Sequence, residues 1–304
     1  MRTVASGLSH GTEMLVYRGQ VPVALALDLP TLAGSFAFPI KYGYAAVGRV
    51  IESGPGVALA PGTLVFCLHP HQDGFVAPAA LATPLPEAVA PEVGVFLANL
   101  ETAITILLDA HPHLGERVVI FGQGVVGLLV TQLLRRTGAE PVIAVDALPR
   151  RRELARRLGA HAALAPDADV VGEVHRLTED AGADLAIEVS GAPEALGTAI
   201  ECVGFQGTVV VASWYGAKPV ALPLGGSFHR DRKRLVSSQV GHIDPALEPR
   251  WSSAHRMALA LRFLAELPLA ELITHRIPFE RAVEAYELVD CHPEEVVQVV
   301  LTYE

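Results

Sequence analysis

Three glycines, Gly122, Gly124 and Gly127, lie between a short β-branched and aromatic run, Val118 to Phe121, and a stretch, Val125 to Leu134, whose apolar residues cover most of a helical surface. That order reads as strand, glycine turn and helix. The spacing has a mechanism: Gly122 permits the tight turn, Gly124 lets backbone N–H groups approach a pyrophosphate, and Gly127 lets the helix press close to the strand. The N–H groups that open the helix, at Val125 and Val126, then face the anion. Asp146 closes the next β-run, Val142 to Val145, where a carboxylate accepts hydrogen bonds from an adenosine ribose and repels a 2′-phosphate. These residues predict a dinucleotide site that favours NAD over NADP. Arg150, Arg151 and Arg152 argue the other way, since they can hold a phosphate; Arg151 is placed against the cofactor, where it can also simply cover ribose or adenine. Ser190 and Ser213, each directly after a β-run (Ala183 to Val189 and Thr208 to Ala212), are expected at the same cofactor.

Other residues have the chemistry of a reaction centre. Cys67, His69 and His71 alternate along one strand face, a pattern open to three readings: a metal site, acid/base histidines lining a substrate cleft, or loop histidines. Glu101 is a charge within the apolar helical segment Pro91 to Ala110; if buried, its pKa rises and it can exchange protons, and if exposed it is inert. Trp214 and Tyr215, after Ser213, supply either an aromatic wall for a planar substrate or an interface contact.

The elements that must position these residues divide the 304-residue chain into three. Residues 1–97 are rich in Gly, Pro and short β-type runs (46–52, 64–68 and 75–78), as in a mostly β domain. Residues 98–267 alternate helix and strand, the pattern of a doubly wound parallel sheet in an α/β domain. Residues 268–304 read as strand, helix and β-run, an ending able to rejoin the first sheet. With 51% apolar residues the chain can bury a substantial core, and a formal charge of −10 disfavours nucleic acid or an anionic membrane as partner. The arginines from 150 to 157 form the densest basic cluster, expected mostly as a solvated helix face. Residues 1–15 have no apolar signal core, and the long apolar stretch 118–134 belongs to the nucleotide motif, so a cytoplasmic protein acting on a small molecule is expected. Three scattered cysteines make neither a disulfide scaffold nor a zinc ribbon.

The order of elements resembles the medium-chain dehydrogenase/reductase superfamily, the alcohol dehydrogenase-like proteins, over nearly the whole chain. Gly7 to Glu13 is similar to the family's first active-site loop, and Gly43-Tyr44-Ala45-Ala46-Val47-Gly48 to its Gly-His-Glu-x-x-Gly segment. The wording Ser6 to Glu13, with Tyr17, Gly19, Pro22 and residues 41–44, looks most like the branch containing bacteriochlorophyllide hydroxyethyl dehydrogenase. The resemblance implies a Rossmann domain, a GroES-like catalytic domain, a nicotinamide cofactor and a homodimer. It also exposes departures. Ser9 stands where the family places a cysteine, Tyr44 where it places a histidine, and the third zinc ligand falls near Ala98, so no catalytic zinc is expected. The chain also starts late against the family, as a trimmed domain or a misassigned start. By the same resemblance His10 lies near the pyrophosphate and Thr102 on the nicotinamide, and Tyr44 with Ser9 either donates to the substrate oxygen or fills the space of the metal. The expected activity interconverts a secondary alcohol and a ketone on a small or ring-bearing metabolite. Reduction of an activated C=C bond, and NAD binding without turnover, stand as alternatives.

Overall fold

The computed structural model describes residues 1–27, 31–32 and 34–304. The chain forms two compact units, Met1–Leu100 together with Met257–Glu304, and Glu101–Arg256. The first opens with β1 (Arg2–Leu8), α1 (Thr12–Tyr17), β2 (Ala46–Arg49), β3 (Leu64–Cys67), β4 (Ala82–Pro84) and α2 (Pro91–Gly94), and α3 (Leu97–Ala110) leads into the second. There follow β5 (Val118–Phe121), α4 (Val125–Thr137), β6 (Val142–Val145), α5 (Pro149–Arg157), β7 (Ala162–Leu164), α6 (Val170–Leu177), β8 (Ala183–Glu188), α7 (Pro193–Cys202), β9 (Val203–Val211) and β10 (Arg234–Ser237). Helix α8 (Ser253–Glu266) leads back to β11 (Ile273–Pro278), α9 (Ala282–Cys291) and β12 (Gln298–Thr302). The unit boundaries therefore fall at 100/101 and 256/257, where the sequence pattern suggests 97/98 and 267/268.

Among the described residues the second unit holds a parallel sheet in the order β10-β9-β8-β5-β6-β7. This is the doubly wound Rossmann order, whose direction reverses between β5 and β8, the place where such sheets bind ligands. The strands are short and β-branched because helices cover both faces: Val118, Val119, Ile120, Val142, Ile143 and Ala144 have no accessible surface. Helix α4 buries Leu128, Leu129, Val130, Leu133 and Leu134, while Arg150, Arg156 and Arg157 of α5 are exposed, the solvated face expected of that basic cluster.

The first unit's sheet runs β11-β12-β1-β2-β3-β4. The C-terminal β-run does rejoin the N-terminal sheet: β12 lies antiparallel to β1 and parallel to β11. Leu8, Met14, Ala285, Val289, Val299 and Leu301 form one buried cluster that fixes α1 and α9 against it.

Several local expectations need correction. Residues 75–78 are not a strand; Phe75 donates to the Met1 carbonyl and accepts from the Met1 ammonium, and β4 forms instead at 82–84 because there the chain meets β3. The segment matched to an active-site loop is strand β1 running into α1. Strand β7 is a three-residue, alanine-rich run too short to read, whereas helix α6 repeats Val170, Val174 and Leu177 at helical spacing and Asp169, whose carboxylate accepts from Gly172 N–H at 2.9 Å, is its N-cap. The stretch Pro91–Ala110, not 118–134, is long and apolar enough to cross a membrane by length and composition. Its apolarity has another cause: Phe96, Leu97, Leu100, Ala103 and Ile106 are buried.

Candidate active site

In the second unit the glycine loop divides its glycines by what the fold itself demands. A Cβ on Gly122, at φ +95°, would lie 2.6 Å from the Ser190 Cα, and one on Gly127 would lie 1.9 Å from the Gly122 carbonyl oxygen. Packing alone excludes a side chain at both. A Cβ on Gly124 would meet nothing nearer than an Arg151 Nη1 at 3.9 Å, so the protein fills no space there. Gly124 also heads α4, whose N-terminus, with Val125 and Val126, receives no side-chain cap. Uncapped N–H groups beside an arginine make an anion cradle. Burial lowers the Arg151 pKa and Asp146 raises it again.

Asp146 is buried at the end of β6 and ties the cradle together. Its Oδ2 accepts from Gln123 N–H at 2.6 Å and its Oδ1 from Leu148 N–H at 2.8 Å. Each carboxylate oxygen has a further lone pair for a ribose hydroxyl. Arg152 does not face a phosphate site; its Nη1 donates to the carbonyls of Asp146 and Ala147, both at 2.8 Å. Gln123 accepts from Thr131 at 3.0 Å, and its buried Nε2 has no hydrogen-bond partner among the described residues. Such an orphan donor beside the cradle suits a ligand with acceptor oxygens. Loop, helix start and carboxylate together fit a dinucleotide.

At the switch point, Ser190 Oγ donates to Glu188 Oε1 at 2.5 Å and accepts from Ala192 N–H at 3.1 Å, and Ser213 Oγ accepts from Gly191 N–H at 2.8 Å. Glu188, fully buried, also accepts from Tyr215 at 2.5 Å, which with burial raises the Tyr215 pKa strongly. Tyr215 is therefore a partner of Glu188, where the sequence suggested a substrate wall or an interface. Sequence reasoning missed Glu188 because a carboxylate ending a β-run carries no signal until its partners are known.

Glu101 is buried, but its carboxylate is engaged by Arg256, Nε to Oε1 at 3.1 Å, and Arg256 also donates to Thr105 Oγ1 and the Val240 carbonyl. Burial raises the Glu101 pKa and Arg256 opposes the rise. Of the two expectations for Glu101 the buried one holds, and the group is half of an internal ion pair. Thr102, the next residue, is partly accessible.

In the first unit the polar residues gather around Glu13, which is 1% exposed. Its Oε1 accepts from Ser9 N–H at 2.9 Å; its Oε2 accepts from His71 Nε2 at 2.8 Å and from the Tyr286 hydroxyl at 2.9 Å. An ionised carboxylate in such a place needs that many donors. His71 Nδ1 meets Ser6 Oγ at 2.7 Å, and Ser6 Oγ meets the Tyr303 hydroxyl at 2.8 Å. Because a carboxylate oxygen only accepts, His71 Nε2 is the donor in its bond to Glu13. His71 reaches this position past Gly43, φ +117°, where a Cβ would lie 2.7 Å from the imidazole.

Tyr44, next to Gly43, is partly accessible and lies beside Ser9 and Thr12. Burial and the nearby Glu13 charge push its pKa up to about 12, against the pull of those two hydroxyls. The phenol is a hydrogen-bond donor across the physiological range, not a base. His10 sits at the turn between β1 and α1, partly accessible.

The alternation Cys67, His69, His71 does not make a metal site, because β3 ends at Cys67 and the three side chains part company. Cys67 is buried in the sheet, His69 stacks on Phe75 with ring centroids 3.5 Å apart, and His71 turns to Glu13. Among the described residues the three-donor group able to hold an ion is His292, Glu294 and Glu295, all exposed.

Comparison with known proteins bears on these two clusters. The family described as zinc-binding dehydrogenase matches residues 125–260. The D-guloside 3-dehydrogenase of Escherichia coli (strain K12) is 31% identical, over 97% of this chain and 89% of that protein. The 2-desacetyl-2-hydroxyethyl bacteriochlorophyllide A dehydrogenase of Cereibacter sphaeroides is 28% identical, over 92% of this chain and 83% of its own. The crystal structure of galactitol-1-phosphate dehydrogenase from Escherichia coli superposes with a TM-score of 0.80, at 21% identity, covering 99% of this chain and 91% of that one; at that identity it speaks to the fold.

Proposed function

The chain belongs to the zinc-type medium-chain dehydrogenase/reductase superfamily and is an oxidoreductase of its alcohol dehydrogenase-like type, and from that premise we propose that it interconverts a secondary alcohol and a ketone on a sugar-like or ring-bearing metabolite, with NAD and without a catalytic zinc. One arrangement carries this reading: where the superfamily places a zinc-ligating histidine stands the partly accessible phenol of Tyr44, with the hydroxyl-bearing Ser9 and Thr12 beside it and no thiolate or imidazole among them. A neutral phenol can donate to the oxygen of a carbonyl, or to the alkoxide that develops from an alcohol. The donors around it do not suit zinc, which takes thiolate, imidazole or carboxylate; here stand hydroxyls, and the Glu13 oxygens already hold three donors.

The dinucleotide, when bound, accepts or supplies the hydride. The chain's part is to bind and to orient. The uncapped start of α4, with Gly124 and Arg151, takes the diphosphate, and Asp146 takes the ribose and disfavours a 2′-phosphate. The Glu188, Ser190, Ser213 and Tyr215 bonds hold the turn after β8 rigid at the switch point. Sugar-like substrates follow from the guloside relative, bulky rings from the bacteriochlorophyllide one. The proposal extends to a cytoplasmic homodimer, as is the family's habit.

Calorimetry with NADH and NADPH, followed by NAD reduction with sorbitol, methyl D-gulosides and xylitol, tests the reading. Tighter binding of NADH, turnover of a polyol and persistence of activity after chelation are expected. Stoichiometric zinc with activity lost to a chelator overturns the zinc-free part; bound NADH with no turnover on alcohols, ketones or enones overturns the enzyme assignment to this substrate class.

A further inference from the structure

We propose that Tyr215 and Lys218 are positioning residues for the dinucleotide: from the segment after β9 they brace the turn after β8, and that turn walls the glycine turn that would receive the diphosphate. The inference rests on the dinucleotide reading above. Strand β5 lies between β6 and β8, with Phe121 paired to Val145 on one side and to Glu188 on the other. The glycine turn that follows Phe121 is therefore held from both flanks. On the β6 side the Asp146 carboxylate accepts from Gln123 N–H. On the β8 side the Ser190 backbone lies so close that a Cβ on Gly122 would come within 2.6 Å of its Cα and 2.7 Å of its nitrogen. Val189 N–H also donates to the Phe121 carbonyl at 2.9 Å.

Three bonds from one short segment hold that wall in turn. The Tyr215 hydroxyl donates to Glu188 Oε2 at 2.5 Å, and Glu188 Oε1 accepts from both the N–H and the hydroxyl of Ser190, at 2.7 and 2.5 Å. Ser213 Oγ accepts from Gly191 N–H at 2.8 Å, and Lys218 Nζ donates to the Gly191 carbonyl at 3.0 Å. Both backbone polar groups of Gly191, φ +71°, are thus engaged by side chains of residues 213–218. Lys218 N–H donates to the Tyr215 carbonyl at 3.1 Å, so the two bracing side chains stand at the ends of one tight turn.

Burial accounts for only part of this arrangement. Glu188 is fully buried, and a carboxylate there needs donors whatever else it does. Lys218 has no such need, because it is partly accessible and water can solvate its ammonium; its bond to Gly191 serves the turn. Binding groups left loose by about 1 Å lose affinity, so a glycine turn that presents helix N–H groups to an anion requires a fixed wall on each flank.

Calorimetry on the full-length chain with NADH and with ADP-ribose, which share the diphosphate, tests the brace. Lys218→Met and Tyr215→Phe are each expected to weaken both ligands by about three- to tenfold, the equivalent of one hydrogen bond, and Lys218→Arg, which still donates to the carbonyl, to restore native affinity. Amide hydrogen exchange of the ligand-free protein gives a second readout: in Lys218→Met the Gln123 N–H, on the other loop, should exchange faster while the thermal melt stays near native. Affinity within about twofold of native in Lys218→Met overturns the brace. So does faster exchange confined to residues 188–192 with Gln123 unmoved, because the bonds then serve only their own turn. Should Tyr215→Phe fail to fold, Lys218→Met decides. Native protein that binds neither NADH nor NADPH sinks the dinucleotide reading itself, a result distinct from native binding with unaffected variants.

Discussion

The Asp146 carboxylate and the Gln123 backbone N–H, at the end of one strand and in the glycine turn of its neighbour, meet at 2.6 Å. The acid proposed to select the ribose therefore also fixes the loop proposed to receive the diphosphate. A charge-assisted bond of this kind contributes about 1.5–3 kcal/mol, so Asp146→Asn is expected to weaken NADH binding by about 10- to 100-fold. NADPH binding falls less, because repulsion of its 2′-phosphate is relieved. Titration calorimetry with both nucleotides measures the two shifts, and an unaltered preference would remove Asp146 from the site.

The glycines separate fold from binding. Gly127→Ala places a Cβ 1.9 Å from the Gly122 carbonyl oxygen and should lower the melting temperature sharply or prevent folding. Gly124→Ala meets open space and should change stability by less than about 1 kcal/mol. Its methyl enters the anion cradle, so NADH affinity should drop by about tenfold or more. Thermal melts and binding isotherms of the two variants form the check; a Gly124→Ala protein that binds normally argues against the diphosphate position.

The dinucleotide half was legible because its constraints are local: Gly122, Gly124 and Gly127 act within one turn, and Asp146 ends the very next strand. The return of β12 beside β1 was legible too, since a β-run after a helix has few places to go. What could not be read is what tertiary contact decides. Glu101, charged in an apolar helix, looks equally like a catalytic acid and an ion-pair partner until Arg256 is brought to it. Ser6, Tyr286 and Tyr303 are ordinary in sequence and acquire a role only because three distant segments converge on Glu13. The alternation of Cys67, His69 and His71 misled for the opposite reason: it assumes a strand that has already ended.

Tyr44→Phe retains the ring and removes the donor. Loss of a hydrogen bond to a developing oxyanion lowers kcat by about 10²- to 10³-fold with a smaller change in KM. The pH dependence has a definite sign. The folded-state pKa is raised to about 12, so the donor is intact below the unfolded value of about 10, and its contribution to stability is lost as pH climbs from there. The ratio of native to variant rates should therefore stay flat from about pH 6 to pH 10. A ratio that collapses near neutrality would mean that Tyr44 works as a base.

The Glu101–Arg256 pair yields the sharpest contrast between structural and catalytic roles. Arg256→Met leaves a buried carboxylate without its cation and should destabilise the fold by about 3–5 kcal/mol. Glu101→Gln should cost less, because the amide oxygen still accepts from Arg256, which keeps Thr105 and the Val240 carbonyl as acceptors. Burial already raises the Glu101 pKa with the arginine present, and removing that cation raises it further. A raised folded pKa means that the native state gains stability as the acid protonates, so the Arg256→Met deficit should shrink as pH falls from neutral toward the carboxylate range. Denaturant melts at several pH values follow that trend. Turnover by Glu101→Gln, measured on the same protein, should change less than about threefold; a drop of about 10²-fold or more, as the loss of a general acid gives, would return Glu101 to the catalytic machinery.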